Sequence, residues 1–337
     1  MNPAIHPSTS VIILNWNGAA MLHRYLPDVI ATTDPALGEV IVADNGSTDE
    51  SLEILANEFP AVRVLPLDRN YGFAEGYNRA IAMVDTEFVV LLNSDVRPAK
   101  GWLRPLVDYM CAHPSTGACQ PKIRSDVEPE KFEYAGASGG FLDCNGYPYC
   151  RGRIFDTLEA DRGQYDTPIA VDWASGAALM VRRELYLGVG GLDADFFAHM
   201  EEIDLCWRIR LAGKSVCVVP QSAVYHLGGG TLPQGNPRKV YLNFRNNLLL
   251  LHKNLPDGVR GRRLFVRRLY DTLAWGMFVV KFDWKSAGAV LRAHRDFRNM
   301  RRRYDTHPSD NLLSPQRNII IDYYLRGKKR YSDLRNM

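Results

Sequence analysis

Short apolar runs, each closed by a polar turn, alternate with stretches of helical spacing in the N-terminal third of the chain. Residues 11–15, 40–44, 62–65 and 88–93 read as buried strands. Between them, Leu22, Leu26 and Ile30 recur at helical spacing from Ala19 onward. A second helix is expected over 52–59, with Ser47 as its N-cap and Glu50 three residues on, and a third over 73–84. Strands alternating with helices predict an α/β domain with a mainly parallel central sheet. Near-continuous apolar strands predict a sheet covered on both faces. In open sheets of this kind ligands bind beyond the carboxyl ends of the strands.

The residues at those ends share a character. The four strands are followed by Asn15-Trp16-Asn17-Gly18, Asp44-Asn45-Gly46-Ser47-Thr48-Asp49, Arg69-Asn70-Tyr71-Gly72-Phe73 and Asn93-Ser94-Asp95. Any one of them is an ordinary turn composition. Four in register along one sheet edge point to a site. Further on, residues 136–165 are loop-rich and order resumes over 171–182 around Gly176. A helix is expected over 201–212 and a strand over 215–219. Near Gly235 the alternation gives way to helical, basic and aromatic sequence, which places a boundary between a catalytic part, 1–235, and a C-terminal helical region, 236–337.

Composition narrows this picture without redirecting it. The 337 residues are 46% hydrophobic and 23% charged with a net charge of +3, an ordinary globular balance. The start of the chain lacks a signal-peptide pattern and no apolar run reaches spanning length, so a cytosolic protein is expected. The six cysteines contain no CxxC pair and are expected as thiols, with Cys144 and Cys150 able to pair only in an oxidising compartment. Gly213-Lys214-Ser215 is no phosphate-binding P-loop, because Arg208 stands where its first glycine belongs. The first strand is not followed by GxGxxG, which argues against a dinucleotide oxidoreductase.

The remaining polar residues offer the chemistry of a nucleotide-sugar transferase. Asp95, just past a buried strand, can hold Mg²⁺ or Mn²⁺ against phosphate oxygens, or simply cap a turn before Pro98. His226 enters the loop Leu227-Gly228-Gly229-Gly230 and is either a second metal ligand or a structural histidine. Glu201, Glu202 and Asp204 crowd the start of a helix. They form either a charged first turn favoured by the helix dipole or a site in which one acid serves as general base. Asp44 can accept a hydrogen bond from a pyrimidine N–H. Asn70, Gly72, Gly76 and Asn78 make a glycine-opened helix start suited to ribose or phosphate.

Together these segments resemble glycosyltransferase family 2, in particular its bacterial rhamnosyltransferase-like branch. The resemblance runs from about residue 10 to residue 252 and is carried by residues 11–18, 42–49, 70–78, 91–95, 173–182, 191–208 and His226. It implies a GT-A fold and an inverting mechanism. Donor contacts would come from Asn15, Asn17, Asp44, Asn70, Gly72, Asn78, Asn93, Ser94 and Asp95. Asp95 would be the metal-binding end of a DxD motif whose first acid is Asn93 here, which gives His226 more weight as a ligand. Glu202 would be the catalytic base, as the second acid of an acidic pair that reads Glu-Glu here, with Glu201 a substitute and Asp204 and Arg208 in support. Trp173, Ser175, Gly176 and Arg208 would line the donor-sugar or acceptor side. The branch implies dTDP-rhamnose as donor, with a UDP-sugar second, and a glycan or lipid-linked acceptor in bacterial surface polysaccharide synthesis. A sugar nucleotidyltransferase would need a basic Gly-rich loop after the first strand, and Asn15-Trp16-Asn17-Gly18 supplies none. A non-catalytic nucleotide-binding partner in a glycan-assembly complex has only the missing DxD acid in its favour.

The C-terminal region adds a separate feature. Residues 253–303 hold fourteen Lys/Arg against four Asp/Glu, interleaved with apolar and aromatic residues. This composition suits either an anionic membrane surface, in keeping with a lipid-linked acceptor, or helices packed on the catalytic part with a basic outer face. Its apolar content is too high for nucleic acid. Residues 318–324 offer a segment that could dock onto a neighbouring subunit in a homo-oligomer, which the sequence does not decide.

Overall fold

A computed structural model describes residues 8–228, 236–304, 308, 310–313 and 317–334 of the chain. The first three βα units are β1 (Thr9–Asn15), α1 (Ala19–Thr32), β2 (Gly38–Asp44), α2 (Ser51–Glu58), β3 (Arg63–Pro66) and α3 (Gly72–Ala82). There follow β4 (Phe88–Leu92), β5 (Val96–Pro98), α4 (Leu103–Ala112) and β6 (Thr116–Ser125). Strands β1, β2, β3 and β4 pair in parallel, and the sheet runs on through β12 (Ala178–Arg182), β6, β13 (Ser215–His226) and β11 (Ile169–Val171). Strand β12 is antiparallel to both β4 and β6, while β13 runs parallel to β6, so the sheet is mixed but mainly parallel on its N-terminal side.

The apolar runs predicted as strands are the centre of the sheet. Val11, Ile12, Ile41, Val42 and Val90 are fully buried, and successive residues feed two different cores. One core lies under α1 and α4, the other under α3 and α6 (Glu201–Leu211), as the period of two along a strand requires.

Three expectations are corrected. Ser47 does not cap α2. Its hydroxyl accepts from Asn17 N and Asn15 Nδ2, while the backbone N–H of Ser51 bonds to Asp49 Oδ1. The strand expected over 215–219 continues unbroken to His226. The loop-rich stretch contains a second, small antiparallel sheet of β7 (Gly140–Leu142), β8 (Pro148–Cys150), β9 (Arg153–Ile154) and β10 (Thr157–Leu158). Cys144 and Cys150 are both free thiols.

After α5 (Arg183–Gly188) and α6 come α7 (Pro237–Asn254), α8 (Asp257–Val280) and α9 (Trp284–Met300). Helix α7 packs along both α8 and α9. The boundary expected near Gly235, and Gly229 and Gly230 of the loop after His226, lie outside the described residues. The segment 318–324 closes over the small sheet of its own chain. Ile319 is fully buried with its N–H on Asp143 Oδ2 at 3.0 Å, and Tyr323 bonds Thr157 at 2.9 Å. No helix among the described residues is long and apolar enough to cross a membrane.

Candidate active site

The carboxyl ends of β1, β2 and β4 bring the predicted loops together. Asp44, buried at the end of β2, accepts from Asn15 Nδ2 at 3.1 Å and from the N–H of Ser47 at 3.0 Å. Asn17 sits at φ +49° and its side-chain oxygen accepts from Thr48 N at 2.7 Å, which locks the first loop to the second. Gly46 is required between them. It adopts φ +71°, and a Cβ there would fall 2.5 Å from the backbone of Arg69. Asn45 spans to the third loop, donating to Asn70 Oδ1 and Gly72 O and accepting from Tyr71 N. Asn70 in turn accepts from Gly72 N at 2.8 Å. Asn15, Asn17, Asp44, Asn45, Asn70 and Gly72 therefore form one hydrogen-bonded rim.

The fourth loop carries Asp95. Asn93 N–H bonds Ala177 O at 3.0 Å, which draws Gly176 alongside Asn93, Ser94 and Asp95. Strand β5 pairs with the end of β13, and this register places His226 opposite Val96. His226 Nε2 then lies 3.1 Å from Asp95 Oδ1. Its Nδ1 lies 3.5 Å from Glu133 Oε2 without hydrogen-bond geometry and is otherwise unpartnered among the described residues. Burial works against a charged His226, yet the bond to Asp95 and the negative charges of Asp95 and Glu133 win and raise it to about 10. Burial also works against ionised Asp95, and His226 holds it below the ordinary carboxylate value. Glu133, on no predicted motif, is thus part of this cluster.

Helix α6 delivers the acidic run. Glu202 is half-buried, and its nearest approach to Gly176 and Phe73 is such that a Cβ on Gly176 would sit 3.6 Å from Glu202 Cβ and 3.7 Å from the Phe73 ring. Its Oε2 is buried with no hydrogen-bond partner among the described residues. Burial pushes Glu202 up to about 7, against the opposing pull of backbone N–H groups at the helix start. Glu201 is more deeply buried, and burial together with the neighbouring Glu202 charge raises it well above an ordinary carboxylate.

Asp204 departs from the expectation of a catalytic group. It is fully buried and saturated, with Arg208 at 2.7 Å, Lys253 at 2.9 Å and Asn254 at 2.7 Å. Burial alone would raise it, but Arg208 and Lys253 keep it low and ionised, so it anchors α6 to α7. Arg208, expected beside the sugar, spends its guanidinium on Asp204, Val189 O and Gly191 O. Asn78 is likewise committed. Its oxygen accepts from Tyr186 and Leu192 N, and its nitrogen donates to Leu192 O. Trp173 is buried against Gly140 with its indole N–H on Phe141 O, and Ser175 is buried with its hydroxyl on Ala135 O. Both brace the wall behind Gly176.

Long-range contacts add residues that no motif marked. Phe197, His199 and Met200, just before α6, hold φ of +65°, +69° and +76°. Such conformations are unfavourable for bulky side chains and persist only when neighbours enforce them. Here α7 does so. Asn246 Nδ2 donates to Phe196 O, Ala198 O and His199 O at 2.9, 2.8 and 2.7 Å, and Arg245 reaches Asp195 O and Phe196 O. The sequence signal was a buried Arg-Asn-Asn trio, 245–247, inside an otherwise Leu-rich helix.

A sheet edge of this form occurs in known proteins. The sequence signature described as glycosyl transferase family 2 matches residues 10–186. The N-acetylglucosaminyl-diphospho-decaprenol L-rhamnosyltransferase of Mycobacterium tuberculosis is 29% identical over 230 residues, which cover 64% of this chain and 75% of that protein. Among solved structures, GalNAc-T7 with UDP, GalNAc and Mn²⁺ superposes with a TM-score of 0.59 at 17% identity over 76% of this chain and 49% of that one, so this chain spans about half its length. Residues 1–349 of Staphylococcus aureus TarS in complex with UDP-GlcNAc superpose with a TM-score of 0.57 at 17% identity, covering 86% of this chain and 80% of that one. The fold is of the GT-A type followed by a helical region. With the family signature spanning more than half the chain, the protein is a glycosyltransferase and belongs to glycosyl transferase family 2.

Proposed function

We propose that the protein is an inverting glycosyltransferase that moves a sugar, rhamnose from dTDP-rhamnose as first choice, onto a glycan or lipid-linked acceptor, with Glu202 as general base. The observation that carries this reading is the burial-raised carboxyl of Glu202 beside Gly176, with its Oε2 lacking a partner among the described residues and with the residue after Gly176 bonded to Asn93 of the Asn93-Ser94-Asp95 loop. A carboxylate poised near neutral pH is matched to taking a proton from a hydroxyl. Glu202 would accept that proton as the acceptor oxygen forms its bond to the anomeric carbon. The bond from that carbon to the diphosphate oxygen breaks on the opposite face, the nucleoside diphosphate leaves, and the configuration inverts. Glu201, held protonated by its burial, would not compete for the role.

The donor would lie across the rim of Asn15, Asn17, Asp44, Asn70 and Gly72, with its diphosphate towards Asp95. Asp44 would meet the pyrimidine N–H, an edge shared by thymine and uracil. Asn78 would act at one remove, by holding the backbone of Leu192 in place. Asp95 and His226 offer a carboxylate oxygen and an imidazole nitrogen 3.1 Å apart, and a cation would take the place of the proton His226 otherwise holds towards Asp95, with the Nδ1 side of the ring facing Glu133. That donor set fits a divalent cation, and its nitrogen favours Mn²⁺ over the strictly oxygen-seeking Mg²⁺. The described residues contain no group of three such side chains, so donor oxygens and water would supply the other ligands. When bound, the ion would supply positive charge against the departing diphosphate.

The second reading is a UDP-sugar donor. It is favoured by the structural likeness to proteins solved with UDP and UDP-GlcNAc and by the pyrimidine-neutral character of Asp44. Titration calorimetry of the full chain with dTDP-rhamnose, UDP-sugars and the free nucleotides, with and without Mn²⁺, separates the two. Mn²⁺-dependent binding of dTDP-rhamnose is expected. Selective binding of a UDP-sugar would establish the second reading, and folded protein that binds no nucleotide sugar would sink both.

A further inference from the structure

Helix α8 is built inside out for a water-facing helix. Its buried residues are Leu264, Arg267 and Asp271, the last two an ion pair at 2.7 Å that His294 of α9 joins at 3.0 Å. Its outer face carries Phe265, Leu269, Leu273, Met277 and Val280, at near-helical spacing and between 52% and 77% exposed. A surface helix ordinarily buries its apolar stripe and shows its charges. The stripe runs into an aromatic corner where Phe282 and Trp284 are 77% and 62% exposed. Contiguous apolar surface of this kind marks a contact.

The charges around the stripe identify the partner. Lys285, Arg292, Arg295 and Arg298 are exposed on α9, and Arg262 and Lys281 are exposed at either end of the α8 stripe. Arg268 on α8 lies close enough to Arg298 and Arg301 for their charges to act on it. Among the described residues Arg262, Lys281, Arg292 and Arg298 form no salt bridge, and Lys285 has only the nearby charge of Asp283. A second copy would bring one strongly cationic face against another, which repels. Bare nucleic acid would leave the apolar stripe unmatched. An anionic bilayer matches both features, apolar side chains entering the acyl boundary and basic ones meeting headgroups. With 24 residues, α8 is about 36 Å long and suited to lying in the interface plane.

We propose that the outer face of α8, with the Phe282 and Trp284 corner and the basic face of α9, docks the enzyme on an anionic lipid surface. The experiment is co-sedimentation of the full chain with phosphatidylcholine vesicles containing or lacking phosphatidylglycerol. Binding is expected only with phosphatidylglycerol, and to weaken as salt is raised. The double variant L269E/L273E, and separately R292E/R295E/R298E, should each weaken it by about tenfold or more. All these positions are solvent-facing, and circular dichroism with donor calorimetry checks that each variant stays folded. A wild-type chain that remains in the supernatant with phosphatidylglycerol overturns the proposal, as does L269E/L273E binding unchanged. A wild-type dimer in light scattering that L269E/L273E dissolves would assign the face to a second copy and overturn it too.

Discussion

Glu202 and Asp204 lie two residues apart on one helix and have opposite fates. Glu202, on the side of α6 facing the sheet edge, keeps a buried oxygen without a partner and is raised by burial. Asp204, on the side facing α7, meets two cations and an amide, and is held low despite complete burial. Both belong to the same acidic first turn and both look alike in one dimension. What separates them is satisfaction. A buried polar group supplied with all its partners is fixed in one state and holds structure together. One left short is free to exchange a proton. The same contrast divides the whole site: His226 Nδ1 and Glu202 Oε2 lack a hydrogen bond among the described residues, whereas Arg208 and Asn78 are fully spent.

The contrast is broken most directly at Glu202. Glu202→Gln should lower kcat by about 10²- to 10⁴-fold while leaving the unfolding midpoint and donor affinity close to wild type. Retained turnover in folded, donor-binding protein would falsify the assignment of the base. Asp204→Ala should behave in the opposite sense. It strands Arg208 and Lys253, so unfolding in denaturant should show a loss of about 3–5 kcal/mol. The molecules still folded should keep most of their turnover. If turnover vanished with stability intact, Asp204 would belong to the chemistry and the contrast would fail.

The cation site sharpens the comparison. His226→Ala should weaken Mn²⁺-dependent donor binding by about 10- to 100-fold and leave metal-free binding of the nucleotide nearly unchanged, both read by calorimetry. Equal loss with and without Mn²⁺ would make His226 a structural partner of Asp95 and Glu133. A milder effect is expected at the clamp. Asn246→Ala removes three bonds to carbonyls of residues 196–199 and should cost about 1–3 kcal/mol in stability. Because that segment sets where α6 begins, kcat should fall about tenfold with KM for the donor little changed. Parallel changes in both constants would point to general loosening instead.

How much of this could be seen in the chain alone follows from the range of the interactions. Strands β1 to β4 and their four polar loops were legible because each is a local pattern, a buried run followed by turn chemistry. The acidic run and His226 were visible as residues but not as roles, since two of the three partners that distinguish Asp204 from Glu202, Lys253 and Asn254, come from α7, about fifty residues away. Glu133, Arg245 and Asn246 were not legible, because only the closing of β5 on β13 and the docking of α7 bring them to the site. The small sheet escaped because its strands, two or three residues each, are too short to show alternation among so many glycines.

The gentlest test varies pH and leaves every residue in place. Burial raises Glu202 to about 7, and a base must be deprotonated to act, so kcat should climb with pH through an acid limb centred near 7 and then level off. Below the midpoint the rate should fall by about a factor of ten per pH unit. The sign matters, because a group acting as a general acid would give the mirror-image profile. Asp204 cannot produce this limb, since its cations keep it ionised well below that range. Glu201 lies beside Glu202 and stays protonated while Glu202 titrates, so Glu201→Gln is the control. It replaces one neutral group by another and should leave the midpoint near 7. A midpoint that moves would show that the two carboxyls share the titration, and a limb that disappears would transfer the role of base to Glu201.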